Sequence, residues 1–579
     1  MTNRILFISI LFILISVGLF AQKPINKDYK FRPPVDIPIY LSGTFGELRS
    51  NHFHSGIDIK TQGTEGKAVK SIGDGWVSRI NISTGGYGKA IYITHYNGLV
   101  SVYGHLQRFE DSIQQIVIKK QYSIESFTTQ MFFEKDELQV KKGERIAYSG
   151  NTGGSDGPHL HFEIRDERTQ HPLNPLLFSS IKVKDYYRPK ITKLAIYPVD
   201  KNAKINGAND TVYYELSGWG VEHKITGNPK ITVSGRVSFG ISTYDLMNDV
   251  SNKNGVFSTK LYYDSLLMYD LNMSSLSFKT TRFVNSLIDY SYYKKTKTRI
   301  VRTQIDTNNI LDNYQSIINN GIIEFNDTLF HKMRYEVRDA YNNVAELSFK
   351  VKGNTSGSSN EVPDVVINTS TGKYFLNTKK NFISEDSIKA DFESYSFYQS
   401  LFFHFETLNG DSSSYSNIYK LHNQYTPVHK NFNLSIIPDS ISSALSDKVY
   451  IAYSHDNLEY SFMPTYKEAK TLKTKSRLLG YYKVMLDTIA PIITEQNFKE
   501  GKIISNQKNL KIEITDEQTG INTYRATLND AWILMEYDPK KSLLTYSFDD
   551  KIIEGKNAFY LIVEDGLGNK SEYSCDIIF

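Results

Sequence analysis

Two short stretches carry residues whose types and spacing suit one kind of chemistry: His54-Ser-Gly-Ile-Asp58 and Gly157-Pro-His159-Leu-His161-Phe-Glu163. In a strand, side chains two apart share a face, so His159 and His161 can converge on one point. A distant histidine and an aspartate can then complete a tetrahedral ligand set. Imidazole and carboxylate without thiolate is the donor set of hydrolytic rather than structural zinc. Histidine placement points to the same region: of 13 in the chain, seven (52, 54, 95, 105, 159, 161 and 171) lie between residues 52 and 171. Even spacing would put about three there. The single cysteine, Cys575, excludes a cysteine zinc finger, a C-x-x-C redox site, an internal disulfide framework and an N-terminal lipoprotein cysteine.

The elements that must hold these residues read as β structure. From about Lys23 to Phe178 the chain is glycine-rich, with short alternating runs. Lys89–Tyr96 and Leu99–Tyr103 flank Asn97-Gly98, which predicts an antiparallel hairpin closed by a type I′ turn. After Tyr186, aromatic and β-branched runs alternate with Asn, Asp, Ser and Gly, the pattern of β-sandwich material. The polar stretch Gly353–Asn360 reads as a linker and Asp487-Thr-Ile-Ala-Pro491 as a second boundary. A weak internal repeat supports that division. Tyr335-Glu-Val-Arg-Asp339-Ala-Tyr-Asn-Asn343 and Leu561-Ile-Val-Glu-Asp565-Gly-Leu-Gly-Asn569 place Asp and Asn at identical offsets, each reading as strand, turn, strand.

Composition bounds the rest. At roughly 150 residues per domain, 579 residues make about four domains. A net charge of +4 is too small for a nucleic-acid groove or a polybasic membrane patch. With 40 Tyr and 32 Phe the chain is rich in strand formers and can bury large cores. Arg4 followed by the apolar run Ile5–Phe20 reads as a secretory signal, residues 1–21, cleaved near Ala21–Gln22. An uncleaved anchor is the alternative, and no other segment is apolar enough to span a bilayer.

Taken together in order, the motifs resemble the lysostaphin and LytM type of zinc metalloendopeptidase over about residues 40–178. Phe45-Gly-Glu-Leu-Arg49 with His54-Ser-Gly-Ile-Asp58 resembles the first block of that family and Gly73-Asp-Gly75-Trp-Val its second. Gly86-Tyr-Gly88 through His95-Tyr-Asn-Gly98 and Tyr103-Gly-His105-Leu106 resemble its central hairpin. Val140-Lys-Lys-Gly143, Gly150-Asn-Thr-Gly153 and Gly157–Glu163 resemble its last block. The resemblance implies one Zn2+ per chain held by His54, Asp58 and His161, with His105 and His159 acting on the substrate. It also implies peptide cross-links of bacterial peptidoglycan as that substrate. No His-Glu-x-x-His segment supplies a glutamate base, so the proton must be handled otherwise; the two non-ligand histidines could do it, in an order the sequence leaves open. Glu163 reads as a supporting residue, His95 as an ordinary strand histidine, His52 and His171 as surface residues, and Tyr103 as either site or core. One departure from the compact pattern is a longer segment between Leu106 and Val140, expected to form a groove wall or lid.

The expected fold class is therefore mainly β: an N-terminal antiparallel β-sheet metallopeptidase domain of barrel-sandwich type, then two or three immunoglobulin-like β-sandwich domains. The expected plan is signal peptide 1–21, peptidase domain 22–184 with an insertion at about 107–139, β-sandwich 185–352, linker 353–363, β-rich domain 364–486 and sandwich 487–579. The expected activity is an exported endopeptidase of the periplasm or cell envelope, or secreted from the cell, acting on peptidoglycan, with no nucleic acid, no membrane span after signal cleavage, and envelope protein partners possible through the tail. A scaffold of the same fold that binds wall or activates an amidase is the alternative, as is a surface adhesion protein whose tail is its working part.

Overall fold

A computed structural model describes residues 30–355 and 372–579. The signal segment and most of the 353–363 linker lie outside the described residues. Among those described, no helix is long and apolar enough to cross a membrane.

The N-terminal domain is built on β1 (Leu41–Gly43), β2 (Ile57–Lys60), β3 (Gly75–Ile82), β4 (Lys89–His95), β5 (Leu99–Gly104), α1 (Asp111–Ile124), β6 (Thr129–Phe132) and β7 (His159–Asp166). These strands form the main path of a nine-stranded sheet in the order β1-β2-β7-β5-β4-β3-β6, with every pair on it antiparallel. Strand β7 shows why the sequence folds this way. Leu160, Phe162 and Ile164 are fully buried on the core face, each contributing roughly 1.5–3 kcal/mol. The two-residue period then puts His159, His161, Glu163 and Arg165 together on the opposite face.

The hairpin β4–β5 forms where expected, but its turn differs. Thr94 pairs with Val100, the Gly98 amide donates to the His95 carbonyl, and only Gly98 in the turn has a positive φ, +80°. The loop is thus three residues with glycine in the left-handed position, not a two-residue type I′ turn. The β4–β5 register leaves Tyr96 outside the ladder, so Asn97 never needs a positive φ. The insertion also departs from an all-strand reading: residues 111–124 are helical, with Ile113, Val117 and Gln121 turned inward at helical spacing.

Beyond Lys190 the structure is mainly strands, with two short helices at Val284–Leu287 and Tyr290–Thr296. A twelve-stranded sheet spans 190–353, two five-stranded sheets lie within 381–486 and two four-stranded sheets within 492–578. Each half of the repeat folds as a hairpin, β8 (Phe330–Arg338) with β9 (Val344–Gly353) and β10 (Lys556–Asp565) with β11 (Lys570–Ile578). Residues 372–487 and 488–579 each have their own core. In contrast, one continuous apolar core joins the N-terminal domain to the first sandwich and takes in Tyr398 of the next domain, so the N-terminal domain and the first sandwich pack as one body.

Candidate metal centre

Register across the sheet builds the site. His161 on β7 lies opposite Asp58 on β2 and opposite Gly104 on β5, one residue before His105. His54 arrives from the loop before β2, its Nδ1 donating to the Thr44 carbonyl at 2.8 Å. Gly56 in that loop has no alternative, because a Cβ there would lie 2.4 Å from the Phe162 carbonyl oxygen.

Asp58 is the hub. Its Oδ1 lies 3.1 Å from His54 Nε2, 3.0 Å from His161 Nδ1 and 3.5 Å from His159 Nε2, while Oδ2 accepts from Arg49 at 2.5 Å. Burial disfavours its charge, but the His54 charge and the bonds from three histidines prevail and hold the carboxyl well below the usual range. Burial likewise opposes charging of His161. Its bonds to Asp58 and Glu163 win, and carry it up to about 9. His54 is lowered by burial. Donor atoms of His54, Asp58 and His161 all lie within 4.8 Å of one another, and all three residues are buried.

His105 and His159 flank this trio, their ring centroids 4.8 Å apart. His105 takes a left-handed backbone, φ +57°, uncommon for a residue with a Cβ. Two bonds hold it there: its amide donates to the Tyr87 carbonyl at 2.9 Å, and its Nδ1 to the Thr152 carbonyl at 2.8 Å. Burial, then the charges of His161 and His159, push it down to about 3. His159 Nδ1 donates to the Gly157 carbonyl at 2.8 Å and lies 3.2 Å from Ser155 Oγ.

Other residues singled out from sequence stand apart. His95 is buried and bonds to the Asp74 carbonyl and Ser101 Oγ at 3.0 and 2.8 Å, away from the trio. His52 is exposed, and His171 is half-buried outside the cluster. Tyr103 is fully buried, its hydroxyl accepting from the Ile72 amide and Ser101. Glu163 supports the site: Oε1 accepts from His161 Nε2 at 2.8 Å, Ser55 at 2.7 Å and Tyr87 at 2.5 Å, and Oε2 from Arg165 at 2.6 Å.

Sequence reasoning missed Arg49, Tyr87, Thr152 and Arg165. Arg49 ends the Phe45–Arg49 block and Tyr87 sits inside Gly86-Tyr-Gly88, so both lay within recognised motifs. Arg165 follows from the strand period that put His159 and His161 on one face. Thr152 meets the His105 ring through its backbone carbonyl, which carries no signal of residue type, although its hydroxyl also donates to the Leu106 carbonyl.

The C-terminal sandwich closes one flank. On α1, Tyr122 meets the Trp532 ring edge-on with centroids 5.1 Å apart and donates its hydroxyl to Asp549. Just past the helix, Glu125 pairs with Arg525 at 2.5 Å. Nearer the histidines, Lys89 Nζ meets Glu536 at 2.8 Å, and Lys540 Nζ donates to the carbonyls of Asn151 and of Ser155, the latter at 3.0 Å.

Residues 52–124 and 115–175 match the family described as Peptidase family M23, and residues 372–487 match a Zu5-like domain. A protein named an uncharacterised metalloprotease from Haemophilus influenzae is 30% identical over 155 residues, 27% of this chain and 26% of its own. A DD-carboxypeptidase/endopeptidase, Mpg, from Neisseria meningitidis serogroup B is 32% identical over 129 residues, 22% of this chain and 23% of its own. The murein hydrolase activator NlpD of Escherichia coli K12 is 30% identical over 135 residues, 23% of this chain and 28% of its own. The match thus spans only about a quarter of each of these relatives.

Proposed function

We propose, taking residues 52–175 as a domain of Peptidase family M23, that this chain is an exported zinc metalloendopeptidase that hydrolyses amide bonds in peptidoglycan cross-links. Its β-sandwich tail would serve targeting or regulation. The observation that carries this reading is the convergence of His54, Asp58 and His161 beside two further histidines that are not part of the trio. Two imidazoles and one carboxylate suit zinc, and three protein ligands leave a fourth position for water or substrate. A zinc ion bound there supplies a Lewis acid for the scissile carbonyl and lowers the pKa of water from about 15.7 towards 7.

The chain's own residues handle orientation and protons. Arg49 fixes Asp58 through Oδ2, and Glu163 fixes the His161 ring through Nε2. His105 commits Nδ1–H to the Thr152 carbonyl, which leaves Nε2 as the acceptor of a neutral ring, whereas His159 commits Nδ1–H to the Gly157 carbonyl and turns Nε2 towards Asp58 Oδ1. His105, held neutral at physiological pH by its burial, is suited to take a proton from the attacking water. His159, the more exposed of the pair, is placed to stabilise the oxyanion or protonate the leaving amine. The Neisseria relative, by its name a DD-carboxypeptidase/endopeptidase, supports peptide-bond hydrolysis, and the Escherichia coli relative, by its name a murein hydrolase activator, supports peptidoglycan as the setting.

The name of the Escherichia coli relative favours a second reading, a scaffold that activates another hydrolase. Turnover decides between the two. Purified residues 22–579 should convert cross-linked muropeptide dimers to monomers, seen by mass spectrometry, and a chelator should stop this. His161→Ala should lose both zinc and turnover, whereas His105→Ala and His159→Ala should keep zinc and lose at least about a hundredfold in rate. Full zinc in His161→Ala, or wild-type rates in either other variant, would sink the assignment. No release by the wild type with zinc bound would favour the scaffold.

A further inference from the structure

A second cluster of buried carboxylates lies far from the histidines in sequence. Asp185 sits in the segment between the peptidase domain and the first sandwich, Asp245 follows the strand 232–244, and Asp339 follows β8. They are 6%, 1% and 2% exposed, and each offers an oxygen within 4.8 Å of the others. Among the described residues none of the three forms an ion pair. Asp245 Oδ1 is buried with no hydrogen-bond partner, as is Oδ1 of Asn254, whose backbone pairs with that of Asp245; Asp185 Oδ2 is buried and meets no donor from another residue type, and the Asp185 and Asp339 carboxyls lie close enough to share a proton when no cation is bound. Leaving a buried carboxylate oxygen unpaired costs several kcal/mol per group.

The same layout recurs at the C-terminal sandwich, and the comparison shows what is missing. Asp339 accepts from the Tyr341 and Asn343 amides and from the Asn343 side chain, which also reaches the Asp185 carbonyl. Asp565 does the same with Leu567 and Asn569, and Asn569 reaches the Asp487 carbonyl. In this second copy the Thr519 hydroxyl donates to Asp487 Oδ2 at 2.7 Å, and three backbone amides donate to Asp516. None of its carboxylate oxygens is buried without a partner among the described residues. The residue three past Asp245, where Thr519 stands relative to Asp516, is Asn248, whose Oδ1 is taken up by the Tyr186 amide. No hydroxyl is there to meet Asp185.

We infer that Asp185, Asp245 and Asp339 bind a calcium ion that ties the segment after the peptidase domain to the first sandwich. The donors are all hard oxygens, which excludes a preference for zinc, and an irregular carboxylate cage suits calcium better than the strict octahedron magnesium demands. Without a cation, burial and the nearby Asp339 charge push Asp185 up to about 7, and burial with both neighbouring charges pushes Asp245 to about 9. The cluster is then poised to exchange protons for a cation.

Calorimetry and equilibrium dialysis of the zinc-loaded full chain test this. The wild type should bind calcium, with the midpoint of the transition containing the first sandwich rising by about 3–6 °C in 5 mM CaCl2. Asp245→Asn should lose one calcium per chain and the rise while keeping its zinc. In calcium-free buffer that variant should be at least as stable as the wild type, because it replaces a carboxyl that burial forces to take up a proton on folding. The assignment is overturned if the wild type binds no calcium, if Asp245→Asn binds as much as the wild type, or if magnesium alone gives the rise. Should the variant fail to fold, the wild-type calcium count decides.

Discussion

Lys540 of the C-terminal sandwich donates its ammonium to the Ser155 carbonyl at 3.0 Å, and Ser155 Oγ lies 3.2 Å from His159 Nδ1. A tail residue nearly four hundred positions away is therefore two contacts from a histidine of the candidate site.

This latch makes the tail part of the site's architecture. Lys540→Ala frees the 151–157 loop that presents His159, and turnover should fall about three- to tenfold with zinc content unchanged, equivalent to ~1 kcal/mol of lost positioning. A rate equal to or above wild type would show instead that the sandwich obstructs the groove.

Arg49 and Glu163 each hold one member of the trio from behind. Arg49→Ala and Glu163→Gln should each weaken zinc binding by roughly 10- to 100-fold, measured by competition with a chelating dye. Unchanged affinity in both would mean that the backbone alone fixes Asp58 and His161.

Zinc uptake should depend on pH because His161 is held at about 9 by Asp58 and Glu163 against the effect of burial. Below that value the metal-free site carries a proton that the metal must displace, so apparent affinity should rise about tenfold per pH unit from 7 towards 9 and then level off. Calorimetry in buffers of differing ionisation enthalpy should count about one proton released at pH 7. No release would contradict the assignment of His161 as a ligand.

His95 gives the fold an acid limit independent of the metal. Burial pushes it down to about 4, so the unfolded chain binds its proton at about 6.5 while the folded chain does not. Stability is full above 6.5 and falls as pH drops towards 4, by about 3 kcal/mol in all. His95→Gln should flatten that part of the urea-unfolding profile between pH 6.5 and 4. An unchanged slope would place the acid sensitivity in other groups.

Much of the site was legible because its residue types follow short-range rules. Strand periodicity puts His159 and His161 on one face, and the absence of thiolate partners limits the donor chemistry. The turn at Asn97-Gly98 was read one residue short, since local propensity marks a hairpin but the strand register decides its loop. The helix at 111–124 departs from the strand reading for a related reason: its β-branched run Ile116-Val117-Ile118 has the local pattern of a strand, and what the helix packs against is supplied by other parts of the chain.

By itself, then, the sequence determined the β class, the hairpin repeats and the histidines and aspartate worth testing, because these depend on residue type and spacings of two to five positions. Only the tertiary structure decided that Asp58 faces His161 across two strands, that Arg49 and Glu163 brace them, and that the first sandwich shares a core with the peptidase domain. It alone revealed that Lys540 reaches Ser155 and that Asp185, Asp245 and Asp339 converge. Apart from Glu163 and His161, which are two positions apart, those relationships join residues separated by between 9 and nearly 400 positions, and strand register and domain packing, which no local pattern encodes, set the distances between them.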